Sequence, residues 1–132
     1  MSEAFLASYF PPIPVLSIYL TPVGEASQIG PLTAIVDTGA DATLVPLRYL
    51  DDLDVPADYP TRLRGPWGSA RRVQVYTTDI VIATLHLPGI EVVGDEMGNE
   101  IILGRNVLNH LVLLLDGPGQ QSDVFDQRPR IR

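Results

Sequence analysis

Asp37, Thr38 and Gly39 are the residues of this chain whose types and order most clearly could do chemistry. They lie in the run Leu32-Thr33-Ala34-Ile35-Val36-Asp37-Thr38-Gly39-Ala40-Asp41-Ala42-Thr43-Leu44-Val45-Pro46. An apolar segment ends in an acid, a hydroxyl and a glycine follow at once, and a second apolar segment begins soon after. Such a pattern presents a carboxylate at the tip of a loop held between two buried strands. A carboxylate can take a proton as a base or give one as an acid. A reaction that needs both roles together needs two such groups. The chain holds one such triplet, so a second copy must supply the other, and the sequence predicts a dimer. Taken alone, Asp-Thr-Gly also reads as a turn in which Asp37 bonds its own loop.

The elements that would hold this loop are short strands. Residues 14–21 are β-branched and aromatic and read as a strand, and residues 22–30 as a turn region. Residues 32–36 form a second strand leading into Asp37. Residues 43–45 form a third, ended by Pro46, and residues 47–53 have room for one helical turn. Asp51, Asp52, Asp54 and Asp58 lack the Gly and the terminal Glu of a calcium loop and read as a solvated loop. Residues 59–94 read as hairpins. Arg62-Leu63-Arg64 leads into the turn Gly65-Pro66-Trp67-Gly68, and residues 72–76 alternate as a half-exposed strand. Residues 79–87 read as one buried strand, Pro88-Gly89 as a turn and residues 90–93 as another strand. Residues 100–103 form a strand that stops at Gly104, and residues 106–111 a short helix. Residues 111–116 are a strongly apolar strand, which Gly117-Pro118-Gly119 turns toward residues 122–125. Residues 1–12 read as a loose arm. Short strands at this spacing predict an all-β fold. The expected division is an N-terminal arm over 1–13, one domain over 14–126 and a tail over 127–132.

Composition narrows the function. At 132 residues and 45% hydrophobic, the chain can bury one core. Its net charge is −7, and all nine basic residues are Arg. An acidic protein is a poor fit to phosphate backbones, so no nucleic-acid partner is expected. The absence of cysteine excludes disulfides and thiolate catalysis and fits a cytoplasmic protein, the location expected here. No run of about 18 apolar residues and no signal peptide is legible, so no membrane partner is expected. His86 and His110 stand isolated, with no Gly-x-Ser-x-Gly to support a serine hydrolase.

Two further features join the triplet. Ile101-Ile102-Leu103-Gly104-Arg105-Asn106 lies about 65 residues downstream, and the Gly65–Gly68 hairpin tip lies between. Asp-Thr-Gly-Ala-Asp, then a Gly-bracketed hairpin, then an apolar run into Gly-Arg-Asn, resembles the retropepsin family of single-lobed aspartic proteases. The resemblance covers roughly residues 14–126. It implies a closed β-barrel with a flap hairpin and one short C-terminal helix. It implies that Asp37 is the catalytic aspartate and that Thr38 reaches across a dimer axis. Gly39 would let a substrate backbone approach, and Ala40 and Asp41 would line a peptide cleft. Pro66, Trp67, Gly68 and Ser69 would form the flap tip, and Arg105 would brace the loop by pairing with Asp41. The flap here carries Pro66 and Trp67 where many relatives are richer in glycine.

The chemistry implied is hydrolysis of an extended peptide by a homodimer, with no metal or organic cofactor. Two carboxylates about 3 Å apart can share one proton, one activating a water while the other polarises the scissile carbonyl. The alternative is a catalytically silent dimerisation or peptide-binding module on the same fold. A precursor that trims its own arm is a third reading.

Overall fold

Runs of β-branched and aliphatic residues dictate strands almost throughout, and turns fall where Gly, Pro or Asp interrupts them. The computed structural model describes residues 1–64 and 68–130. In chain order these form β1 (Ser2–Ala4), β2 (Val15–Pro22), β3 (Ile29–Val36), β4 (Thr43–Pro46), α1 (Leu47–Asp52), β5 (Tyr59–Arg64) and β6 (Ala70–Ile82). There follow β7 (Leu85–Asp95), β8 (Ile101–Leu103), α2 (Arg105–Leu108), β9 (Val112–Asp116) and β10 (Gln121–Phe125).

One sheet runs β2-β3-β8-β4-β7-β6-β5, and β2 also pairs with β6. That second pairing closes the sheet into a barrel, with β5 carried outside on β6. Closure leaves the barrel strands without free edges and lets their inner faces share one core. Leu16, Ile18, Leu20, Val45, Ile80, Ile82, Ile101 and Leu103 fill it, capped by Leu50 of α1 and Val107 of α2. Two pairings in the barrel are parallel: β3 beside β8 and β4 beside β7. The parallel run Ala34↔Ile101, Ile35↔Ile102, Val36↔Leu103 brings the ends of β3 and β8 to the same place. Asp37 follows the first of these ends and Gly104 the second, so the topology joins the two segments singled out in the sequence. The all-β barrel and the short helix near its C-terminus are as the sequence predicts.

Three local expectations are corrected. The first concerns the arm. Residues 2–4 are β1, paired with β10 through Ser2↔Asp123, Glu3↔Ser122 and Ala4↔Gln121. The Glu3 carboxylate accepts from Ser17 N–H at 2.7 Å and from its hydroxyl at 2.9 Å, and the Met1 amino group donates to Val124 O at 3.0 Å. A strand this short shows no period of its own, and its partner lies at the far end of the chain.

The second concerns residues 79–87, which are the ends of two strands joined at Ala83-Thr84. Ala83 takes a positive φ of 55° there, which composition does not announce. The third is Pro88-Gly89, which is a β-bulge inside β7. Pairing jumps from Thr78↔Ile90 to Ile80↔Leu87, so two residues of β7 oppose Asp79, and Gly89 supplies the φ of +62° that the bulge needs.

Asp79 is buried opposite that bulge. Its Oδ1 accepts from Gly89 N–H at 2.9 Å, and its Oδ2 lies 3.0 Å from His86 Nε2 and accepts from Gly24 N–H at 3.3 Å. Burial pushes its carboxyl pKa up. The hydrogen bonds from Gly89, His86 and Gly24, with the attraction of His86, outweigh burial and hold it below the usual carboxylate value. A group depressed in the folded state contributes stability above its unfolded pKa and loses it as pH falls through the folded one. Asp79→Asn is therefore expected to cost about 1–3 kcal/mol at neutral pH. In melts run from neutral to strongly acidic pH, the gap from the parent protein should close at the acid end. A gap independent of pH would assign the cost to packing instead.

Candidate active site

The loop after β3 is folded on its own carboxylate. Asp37 N–H donates to Leu103 O at 3.1 Å, which fixes the start of the loop to the end of β8. Gly39 N–H donates to Asp37 Oδ1 at 3.0 Å, and Ala40 N–H to Asp37 O at 3.2 Å. A Cβ on Gly39 would stand 3.2 Å from Asp37 Oδ1, so a side chain there would crowd the carboxylate. Asp37 is half-buried, and Thr38 and Gly39 are exposed at the tip.

Behind the loop lies the Gly104-Arg105-Asn106 segment. A Cβ on Gly104 would meet Ala42 O at 2.3 Å and its carbonyl carbon at 2.5 Å, so only glycine lets the two backbones touch. From that contact Arg105 N–H donates to Ala40 O at 2.8 Å. The Arg105 guanidinium forks, with Nη1 donating to Thr38 O at 2.9 Å and Nη2 to Asp41 Oδ1 at 2.7 Å. Deeper in, Gly104 N–H donates to Thr43 Oγ1 at 3.1 Å, and the Thr43 hydroxyl donates to Asn106 Oδ1 at 2.7 Å. Asn106 Nδ2 in turn donates to Glu91 O at 2.8 Å, which ties the brace to β7. The Arg105 and Asp41 side chains are 46% and 87% exposed, so their charge attraction is largely screened. The fork matters chiefly because it fixes a backbone carbonyl and a side chain of one loop together.

Asp37 opens onto a cleft of about 420 Å³. Gly39, Ala40 and Asp41 form its polar side with Asp37, while Ala42, Leu44 and Ile102 form an apolar side. Leu63 and Arg64 at the end of β5 line it as well. Of the residues singled out from sequence, Asp37, Gly39, Ala40 and Asp41 meet in this cleft, and Thr38 and Arg105 hold its loop. Gly68 and Ser69 are exposed just before β6 and are not among the cleft-lining residues, while Pro66 and Trp67 lie outside the described residues.

Sequence reasoning missed Leu44, Leu63, Arg64 and Ile102 as lining residues, and Thr43 and Asn106 as braces. A period-two signal was available for some of them. Thr43 and Val45 point inward, leaving Leu44 on the cleft side, and Ile102 is the less buried residue between Ile101 and Leu103. Among the described residues, no group of three or more His, Asp or Glu is arranged to hold a metal ion, and no helix is long and apolar enough to cross a membrane.

Known proteins resemble this chain in family and in fold. The chain belongs to the family described as gag-polyprotein putative aspartyl protease, whose model matches residues 28–110. Its fold is that of the retropepsin-like aspartic proteases. EIAV protease, solved with the inhibitor HBY-793, superposes with a TM-score of 0.51 at 20% identity, over 74% of this chain and 86% of that one. The retroviral protease-like domain of Ddi1 from Leishmania major gives a TM-score of 0.51 at 16% identity, over 87% of this chain and 91% of that one. No curated protein matches the chain by sequence.

The brace predicts two separable outcomes. Gly104→Ala must push Ala42 aside and should cost at least about 2 kcal/mol in denaturant unfolding. Arg105→Lys keeps the charge but not the fork, and should cost under about 1 kcal/mol because the pair is exposed. Faster amide hydrogen exchange confined to residues 38–41 in Arg105→Lys would be the sign of a freed loop. An unchanged exchange pattern would contradict the bracing role.

Proposed function

We propose that the protein is an aspartic endopeptidase that works as a homodimer, with Asp37 of each copy facing the other across a two-fold axis. The observation that carries this reading is the held Asp37 carboxylate. An Asp-Thr-Gly triplet within the family-matched residues is folded on its own glycine N–H, braced from behind by Arg105, and open to a cleft with an apolar side.

One carboxylate can play acid or base at a given moment, but not both. Paired, the two Asp37 groups hold one proton between them, because two like charges so close cannot both ionise. The ionised one takes a proton from a water as its oxygen attacks the peptide carbonyl carbon. The protonated one gives its proton to the carbonyl oxygen. Collapse of the tetrahedral species then breaks the C–N bond: one Asp37 gives its proton to the leaving nitrogen while the other takes a proton from a hydroxyl on the tetrahedral carbon, which restores the single shared proton. The peptide lies extended along the cleft, bonded through its backbone, with apolar side chains near the cut against Leu44 and Ile102. The β5–β6 hairpin acts as the flap, and its closure excludes water from the dyad.

The surface suited to the second copy is β9. Its one neighbour among the described residues is β10, and its Leu114 and Leu115 are 51% and 41% exposed. It starts a few residues after α2, the helix that carries Arg105, so a copy docked there sits close to the bracing segment. An exposed apolar strand with a free edge is a ready template for another strand, and antiparallel pairing of β9 with its twin continues the sheet across the axis.

Incubation with an unstructured protein should give fragments, and Asp37→Asn should abolish them while the dimer survives in sedimentation. Binding without cutting in the parent protein would point to the peptide-binding module instead. Specific activity should fall on dilution, since the monomer has half a site. Leu114→Arg should shift that fall to higher protein concentration without unfolding the barrel. Activity that is independent of concentration and indifferent to Leu114→Arg would sink the shared site.

A further inference from the structure

We infer that Arg64 makes the cleft select peptides with an acidic side chain flanking the apolar residues at the cut. The inference rests on the endopeptidase reading above and concerns which peptides that site accepts.

The residues lining the cleft carry three charges: Asp37, Asp41 and Arg64. Asp37 is the reacting group. Asp41 is taken by Arg105 at 2.7 Å. Arg64 has no ion pair or hydrogen bond among the described residues. Arg64 thus brings to the rim of the cleft an exposed guanidinium with no ion pair among the described residues, in a protein whose net charge is −7.

The surroundings make that charge more available. Arg64 ends β5, opposite Ala70 of β6, so no acid stands across from it. The next like-facing pair along the hairpin is Arg62 opposite Arg72, two cations in direct register. Like charges facing each other across a ladder are unfavourable. The face of the hairpin that carries Arg64 therefore also carries Arg62 and Arg72, which border a neighbouring pocket, so an anion arriving at Arg64 meets a cationic face.

The chemistry that fits is a carboxylate. A guanidinium presents paired N–H donors that match the two oxygens of Glu or Asp, with a geometry an ammonium lacks. The other lining residues next to Asp37 are small or apolar: Ala40, Ala42, Leu44, Leu63 and Ile102. They accept apolar side chains near the cut and offer a carboxylate nothing. In an extended peptide, alternate side chains point the same way. An acid set off from the cut can then meet Arg64 while an apolar neighbour fills the floor. The two-fold axis supplies a second Arg64 on the other side of the scissile bond, so acids are accepted on either side of the cut.

The test uses matched peptides with one apolar cleavage core and Glu or Gln at each flanking position in turn. For the parent protein, kcat/KM should favour Glu over Gln at one or more positions on each side by about tenfold, mainly through KM. The preference should shrink as salt is raised. Arg64→Gln should bring the ratio close to one, and Arg64→Glu should invert it. Fluorescence anisotropy of the same pairs with the Asp37→Asn protein reads the preference without cleavage, so it separates the two claims. A Glu preference in binding with no cutting by the parent protein would support Arg64 selection and overturn the endopeptidase reading. Cutting with no Glu preference, or a preference that survives in Arg64→Gln, would overturn the inference alone.

Discussion

The placing of Asp37 depends on a contact between two stretches of backbone. Gly104 lies against Ala42 with no room for a Cβ, and Ala40 O accepts from Arg105 N–H just beside it. Everything that steadies the loop follows from that closeness. The Arg105 side chain reaches both Thr38 O and Asp41 because its own Cα sits next to the loop. Thr43 can receive Gly104 N–H and give its proton to Asn106 because the segments touch. A bulkier residue at 104 would not remove one bond from this set but would separate the two halves that make it.

The barrel explains why such a contact can form at all. Antiparallel hairpins join neighbours in sequence, whereas the parallel pairs β3–β8 and β4–β7 join strands far apart in the chain. The loop leaving β3 and the segment leaving β8 therefore emerge side by side. Long-range pairings are slow to form, but once the barrel is closed they are fixed by a core with several fully buried Leu and Ile side chains. Charge contributes little to this rigidity, since the Arg105–Asp41 pair is mostly in water. Shape and hydrogen-bond geometry set the loop, and among the described residues the Asp37 carboxylate has no ion pair.

Much of this was legible in the residues. Apolar runs broken by Gly and Pro give the strands, and the triplet with its downstream Gly-Arg-Asn gives the loop and its brace. What escaped reading shares a physical cause, namely that it is decided by distant partners. β1 is too short to show a period and exists because β10 accepts it. Ala83 turns the chain without a glycine because the β6–β7 ladder continues on both sides. Pro88-Gly89 looks like a turn but is held in line by Asp79, whose burial no local pattern reveals. Arg64 reads as a solvated strand residue until the fold brings β5 beside Asp37.

The lone acid of β9 bears on how two of these chains can align. The strand reads Val112-Leu113-Leu114-Leu115-Asp116, uncharged until its final residue. Laid head to tail about Leu114, two such strands set each Asp116 against the other's Val112, and the anions stand at opposite ends. Laid side by side in the same direction, they would stack Asp116 on Asp116. In such a pairing a single terminal charge would act as a polarity mark, penalising the parallel arrangement and leaving the antiparallel one unopposed.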